Sequence, residues 1–198
     1  MEPKPVQRAI KRALDIVVAA AGLVVISPLL AVVALAILVT MGQPVLFRQQ
    51  RPGLHEEPFT VYKFRTMRRG QGDDAERLTR LGRCLRATSV DELPQLWNVL
   101  RGDMSLVGPR PLLVEYLDRY DSEQRRRHDM KPGITGLSQV AGRNEVPWTR
   151  QFELDVRYVD RWCLRLDLVI LTRTVAMVLT RRGIAQPGRA TRDRFGPS

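Results

Sequence analysis

Residues 16–39 read IVVAAAGLVVISPLLAVVALAILV, a run of 24 positions without a single charged side chain. A straight α-helix of that length spans roughly 36 Å, enough for the hydrocarbon core of a bilayer. A buried helix of a soluble protein normally keeps a polar face, and this run has none. A secretory signal fits less well. The run is too long, and Ile37-Leu38-Val39 still follows the small-residue stretch Ala34-Leu35-Ala36. The segment is therefore read as membrane-inserted.

Ser27-Pro28 interrupts its centre. Proline removes a backbone donor and clashes with the preceding turn, so it bends or breaks a helix. Within lipid the freed carbonyl needs a partner, and the Ser27 hydroxyl can supply one. Basic residues also flank both ends: Lys4, Arg8, Lys11 and Arg12 before the run, Arg48, Arg51, Lys63 and Arg65 after it. A simple span has its positive charge on one side only. A re-entrant hairpin that bends at Ser27-Pro28 and returns to the same face accommodates both flanks, and is preferred over a kinked span.

The composition narrows the function classes. The 198 residues suit one compact domain, and 32 Lys+Arg against 21 Asp+Glu give a net charge of +11. Four of the 32 are lysines, leaving 28 arginines, which suit phosphate and headgroup contacts. A hydrophobic content of 44% excludes a disordered chain. Cys84 and Cys163 cannot build a disulfide scaffold or a four-ligand zinc site, and they fit a reduced, cytosol-facing compartment. His55 and His128 are too few for a His-based metal centre and read as surface residues. A nucleic-acid binder, a membrane-surface protein and an enzyme of anionic substrates remain.

Beyond residue 40 the chain reads as a mixed α+β domain. Short strands are expected at 44–47 and 59–64 around a loop at 51–58, and a loop at 70–74. Helices are expected at 75–85, 93–100 and 111–127, the last ending in Arg125-Arg126-Arg127, with a turn-rich loop at 132–136. Leu164, Leu168, Leu171, Val175 and Val178 recur at helical spacing, with Arg165, Arg173 and Arg181 off that face. That helix either packs on the core or lies amphipathically in the membrane interface. The organisation is a re-entrant membrane helix at 1–40, a cytosolic catalytic domain at 41–185 and a tail at 186–198.

The densest chemistry lies in residues 86–100. Pro94 is tolerated only in a helix's first turn, so Asp91 and Glu92 sit at a helix N-terminus. One reading is capping, because Ser89-x-x-Glu92 matches a capping box. The other is an anion site with two carboxylates beside it. Two carboxylates repel a phosphate unless a hard cation such as Mg2+ intervenes. One could then hold metal while the other attacks phosphorus, giving an acyl phosphate. In Gly108-Pro109-Arg110-Pro111, two prolines stiffen the backbone around one arginine, as a phosphate or uracil-ribose contact needs; a turn feeding a helix reads the same way. Lys63 and Arg65 alternate onto one strand face, either solvated or substrate-facing. Asn98 and Arg143 are weaker polar candidates, and Asp103 reads as a turn residue.

These stretches resemble, in order, the blocks of the bacterial sugar transferase family, the small monotopic phosphoglycosyl transferases. The resemblance begins at Lys11-Arg12-x-x-Asp15 and includes Ser27-Pro28. It continues through Phe47-Arg48-Gln49-x-Arg51-x-Gly53, Lys63-Phe64-Arg65-Thr66-Met67 and Ser89-x-Asp91-Glu92-Leu93-Pro94-Gln95. Gly102-Asp103-Met104-Ser105, Gly108-Pro109-Arg110-Pro111, Pro132-Gly133-Ile134-Thr135-Gly136 and Asp155-x-x-Tyr158 complete it. It implies transfer of a phosphosugar from a UDP-sugar to a polyprenol phosphate, releasing UMP. It further implies Asp91 as nucleophile, Glu92 as the Mg2+-supporting carboxylate, and Arg86, Arg110 and Arg143 as nucleotide or phosphate contacts. Asp91 and Glu92 are the expected metal residues, and Lys63 and Arg65 join the expected substrate contacts. Ser27-Pro28 matches the break in the family's re-entrant helix. The expected location is the cytoplasmic face of the bacterial inner membrane, with lipid and not nucleic acid as partner; a homo-oligomer is compatible with the sequence. The competing class is a basic, membrane-attached nucleic-acid-binding or scaffold module, for which Asp91-Glu92 is mere capping and oligonucleotide binding is steeply salt-dependent.

Overall fold

A computed structural model describes residues 4–142, 145–180 and 195–196. Helix α1 (Pro5–Met41) runs as one helix through Pro28. The Ser27 hydroxyl donates to Val24 O at 2.8 Å, the carbonyl that Pro28 leaves without its N–H. One side of α1 follows the rest of the protein along its length, burying Asp15, Ala19, Val33 and Ile37. The other side exposes Val6, Ile10, Leu14, Val17, Val24, Val32, Leu35 and Val39, an apolar stripe at helical spacing.

The basic residues before the apolar run are not all turned to a membrane face. Lys11 Nζ donates to Asp167 Oδ2 at 2.7 Å and to Val107 O at 3.0 Å. Arg12 donates to Val99 O at 2.6 Å and Leu100 O at 2.9 Å, and Lys4 to Trp162 O at 2.9 Å. Asp15 Oδ1 accepts from Leu106 N at 3.0 Å. Buried carbonyls and a carboxylate at the helix foot need donors, and these side chains supply them.

Strands β1 (Leu46–Pro52) and β2 (Pro58–Phe64) form an antiparallel hairpin in register from Leu46↔Phe64 to Pro52↔Pro58. The first strand extends well past the expected 44–47, because the ladder carries polar residues that hydrophobicity alone does not mark. Helices α2 (Asp74–Arg77) and α3 (Arg80–Ala87) split the single helix expected at 75–85. Leu78 is extended, and Thr79 caps α3 by accepting from Gly82 N at 2.9 Å. A Cβ at Gly82 would lie 1.9 Å from Thr66 O, so only glycine permits this approach.

A 3-10 turn, Val90–Glu92, leads into α4 (Gln95–Arg101) and β3 (Ser105–Val107). The long helix expected at 111–127 does not form. Its place holds a 3-10 stretch Val114–Arg119, α5 (Ser122–Arg125) and a second 3-10 stretch, Arg126–Asp129. Tyr120 is extended, and Asp121 starts α5 with a capping box to Gln124. Leu113 is extended as well, so the stretch is broken although Tyr116, Tyr120, Arg127 and His128 are all buried. His128, read as a surface residue, is 5% exposed; burial and the neighbouring Arg127 push its pKa down to about 3. Strand β4 (Gly133–Thr135) pairs parallel with β3 and is followed by α6 (Leu137–Val140), α7 (Trp148–Arg161) and α8 (Leu164–Thr180).

The main core joins Ala19 of α1 to Val61, Val99, Met104, Val107, Tyr158, Trp162 and Ile170. Asp167 organises its edge, accepting from Tyr158 OH at 2.7 Å and Trp162 Nε1 at 3.1 Å as well as from Lys11. On α8, Leu164 and Leu171 pack against this core while Leu168 and Val175 are exposed, so part of the expected apolar stripe is core-packed and part faces outward.

Candidate active site

The acidic pair is set by a sharp turn rather than by a cap. Ser89 has a left-handed backbone (φ 57°) and its side chain makes no cap bond. The expected Ser89–Glu92 capping box is absent because the Glu92 carboxylate is drawn the other way. Its Oε1 accepts from Lys63 Nζ of β2 at 2.7 Å and from Arg110 Nη2 at 2.8 Å. Asp91 is buried beside it, at 9% exposure. Arg86 of α3, within the field of Asp91, donates through Nε to Thr66 Oγ1 at 3.0 Å.

These surroundings drive the two carboxyls apart. Burial, then the charge of Glu92, raises Asp91 to about 6, against Lys63, Arg86 and Arg110. Burial alone would also raise Glu92, but Arg110 and Lys63 together outweigh it and hold Glu92 well below the usual carboxylate range. Glu92 in turn raises Arg110, while burial lowers Lys63. Glu92 is thus the fixed anion of the pair, and Asp91 is the carboxylate whose charge is poorly solvated.

The pair opens into a cleft of about 1590 Å3. Its lining combines the charged Lys63, Arg86, Asp91, Glu92 and Arg110 with the apolar Leu38, Leu46, Phe47, Leu171, Met177 and Val178 from α1, β1 and α8. The cleft therefore suits a substrate that is both charged and greasy.

Of the residues expected at the site, Lys63, Arg86, Asp91, Glu92 and Arg110 come together. Arg65 borders the same cleft, but its guanidinium donates to Met41 O, Gly42 O and Gln43 O at 2.7, 2.6 and 3.2 Å, closing the C-terminal end of α1. Strand alternation put Arg65 beside Lys63, but the orphan carbonyls of the helix end take it away. Asn98 is fully buried and pins β2 to α4, accepting from Tyr62 N at 3.2 Å and donating to Thr60 O at 2.7 Å. Arg143 lies outside the described residues. Arg51, noted only as a flanking charge and within a family block, also lines the cleft; burial and Arg110 push it down to about 10.

Among the described residues no group of three or more His, Cys, Asp and Glu side chains gathers to hold a metal. The candidate donors are Asp91 and Glu92, the latter with its Oε1 already accepting from Lys63 and Arg110. Two carboxylates fit Mg2+, which keeps water and substrate phosphate among its ligands, and do not fit a metal needing a closed protein cage.

Such a cleft, with paired carboxylates among cations and an apolar helix alongside, suits a protein that handles anionic, partly apolar substrates. A family profile described as "Bacterial sugar transferase" matches residues 6–181, and the chain belongs to that family. It is 56% identical over 161 residues to "Uncharacterized sugar transferase EpsL" of Bacillus subtilis, covering 78% of this chain and 80% of that one. It is 47% identical over 186 residues to "UDP-glucose:undecaprenyl-phosphate glucose-1-phosphate transferase" of Caulobacter vibrioides, covering 86% of this chain and 70% of that one. It is also 40% identical over 200 residues to "Undecaprenyl-phosphate galactose phosphotransferase" of Salmonella typhimurium, covering 89% of this chain and 42% of that one.

Proposed function

We propose that this chain transfers a hexose 1-phosphate from a UDP-sugar to a polyprenol phosphate such as undecaprenyl phosphate, starting synthesis of a membrane glycoconjugate. The relatives named for glucose and galactose donors support the class of substrate. The observation that carries the mechanism is the unequal acidic pair: Glu92 clamped by Lys63 and Arg110, Asp91 buried and raised next to it.

In this reading an Asp91 carboxylate oxygen attacks the sugar-bearing phosphorus. The phosphoanhydride bond breaks, UMP leaves, and an aspartyl phosphosugar remains. A phosphate oxygen of the polyprenol phosphate then attacks the same phosphorus, the acyl phosphate bond breaks, and Asp91 returns to its carboxylate. The poorly solvated charge on Asp91 favours its use as nucleophile, since attack disperses that charge. Arg110, Lys63 and Arg86 supply fixed positive charge for the phosphates, and Arg110 also keeps Glu92 ionised. Mg2+ held by Asp91 and Glu92 would neutralise phosphate charge when bound.

The arrangement of α1 supports a monotopic placement at the cytoplasmic face; a re-entrant bend at Ser27-Pro28 rests on the flanking charges, since α1 runs as one helix through Pro28. Lys4, Lys11 and Arg12 near one end and Arg65 at the other bind the same domain, while the intervening outer stripe is apolar. A helix whose two ends are tied to one domain keeps both on one side of the bilayer. An N-terminal tag protected from external labelling in intact cells is the expected topology result; a labelled tag overturns it. For the reaction, purified protein with Mg2+, polyprenol phosphate and a panel of UDP-hexoses should release UMP. With donor alone it should become labelled with phosphosugar at Asp91. UMP release that requires lipid, with no labelled protein, would instead favour direct transfer in a ternary complex.

A further inference from the structure

The Gly108-Pro109-Arg110-Pro111 loop is held through its carbonyls. Pro109 O accepts from Gly133 N at 3.0 Å, Arg110 O from Arg127 Nη2 at 2.7 Å, and Pro111 O from Arg51 Nη1 at 3.4 Å. Two prolines offer no N–H of their own, so outside donors decide where this loop sits. Gly108 fixes its start: its N donates to Thr135 O at 2.9 Å, and a Cβ there would lie 2.3 Å from Lys131 O.

Arg127 is the unusual member of this set. It is 1% exposed, as is Asp155, which accepts at Oδ2 from Arg127 Nη2 at 2.7 Å and Nε at 3.2 Å. Ser138 Oγ donates to Asp155 Oδ1 at 2.7 Å. The rings of Tyr120 and Phe152 lie over the guanidinium at 5.8 and 5.7 Å. An ion pair buried this deeply adds little stability over apolar packing, because both ions lose their water. What apolar side chains could not do is serve a carboxylate and a backbone carbonyl from one rigid, planar fork.

We propose that Arg127, oriented by Asp155 and Ser138, is a positioning residue that fixes the Arg110 backbone so that the Arg110 guanidinium stays on Glu92. The inference rests on the reading of Arg110 and Glu92 as parts of the transferase site. It connects α7 and α6, through Asp155 and Ser138, to the geometry of that pair.

Two variants test it. Arg127→Leu combined with Asp155→Leu removes both charges, so neither is left buried alone. Arg127→Lys keeps the charge opposite Asp155 but gives up the planar fork. With the thermal unfolding midpoint near the parent's, the double variant should lower kcat/KM for UMP release on the order of 10²-fold, as a displaced active-site group does. Amide exchange in residues 106–113 should quicken in both variants. On an Arg110→Ala background the same changes should cost nothing further, since the positioned group is gone. Losses that multiply on that background, or unchanged exchange at 106–113 in a folded variant, overturn the proposal. So does failure of both variants to fold, which would make the pair a stability element. A parent protein that releases no UMP overturns the reaction assigned above instead, and the exchange measurement still decides the Arg127 contact.

Discussion

Replacing Asp91 by Asn should abolish turnover and, at the same time, stabilise the protein. In the fold its carboxyl is raised from an ordinary 3.8 to about 6, chiefly by burial and by the charge of Glu92. A raised carboxyl pKa means that the ionised form is disfavoured in the folded state. Above pH 6 the fold carries that whole cost; as the pH falls through 6 towards 3.8 the cost disappears. The gap between the two values corresponds to about 3 kcal/mol. Asparagine keeps the shape and carries no charge, so it relieves the cost only where Asp91 is ionised. For a protein of this size, 3 kcal/mol moves the thermal midpoint by about 6–12 °C. The assay is thermal unfolding of parent and Asp91→Asn protein in the same detergent without divalent cations, at pH 8 and pH 4, alongside UMP release. The expected result is a markedly higher midpoint for the variant at pH 8, near equality at pH 4, and no turnover. A variant no more stable than the parent at pH 8, or equally stabilised at both pH values, would refute the argument that Asp91 is held as a poorly solvated anion.

Other outcomes follow from the same geometry. Glu92→Gln leaves Lys63 and Arg110 facing a neutral group, so kcat should fall by on the order of 10²-fold. The Mg2+ concentration needed for half-maximal UMP release should rise; an unchanged Mg2+ titration would count against Glu92 as a metal residue. The parent's kcat/KM should decline below about pH 6 as Asp91 takes up its proton, read from a pH–rate profile in saturating Mg2+ and in limiting Mg2+, where the limb should lie at higher pH. Arg65→Ala should lower stability by about 1–3 kcal/mol through loss of the carbonyl contacts at the end of α1, yet leave KM for the UDP-sugar within a few-fold. A large rise in KM would return Arg65 to the substrate site. Ser27→Ala leaves Val24 O without its hydroxyl partner and should lower the thermal midpoint in lipid nanodiscs by a few degrees, with no change in KM.

Much of the site was legible because its chemistry is written in residue types that have few other uses together. Adjacent Asp91 and Glu92 ahead of Pro94, and a single arginine between Pro109 and Pro111, stood out by residue type, and the family resemblance assigned them to one site. What misled was local pattern where tertiary demand is stronger. Ser89-x-x-Glu92 matches a capping box, but Lys63 and Arg110 offer the Glu92 carboxylate two cations, which outweigh one backbone N–H. Residues 111–127 carry a helical composition, but Tyr120 is extended and Asp121 opens a new helix with a capping box to Gln124, which divides the stretch. Lys63 and Arg65 share a strand face on paper, and the unsatisfied carbonyls at residues 41–43 separate them. Arg127 gave no sign of its role within Arg125-Arg126-Arg127, which reads as the cationic end of a helix.

The sequence by itself determined that an apolar helix of bilayer length, with Ser27-Pro28 at its centre, accompanies a basic domain carrying an acidic pair. Those features depend on composition and on spacing over a few residues. Only the tertiary structure decided which cations reach Glu92, which carboxyl is left poorly solvated, and which arginines serve carbonyls instead of substrate. Each of those outcomes is a competition among groups as far as 88 residues apart for the same donors and acceptors, and Coulomb energy depends on distances that the chain order does not contain.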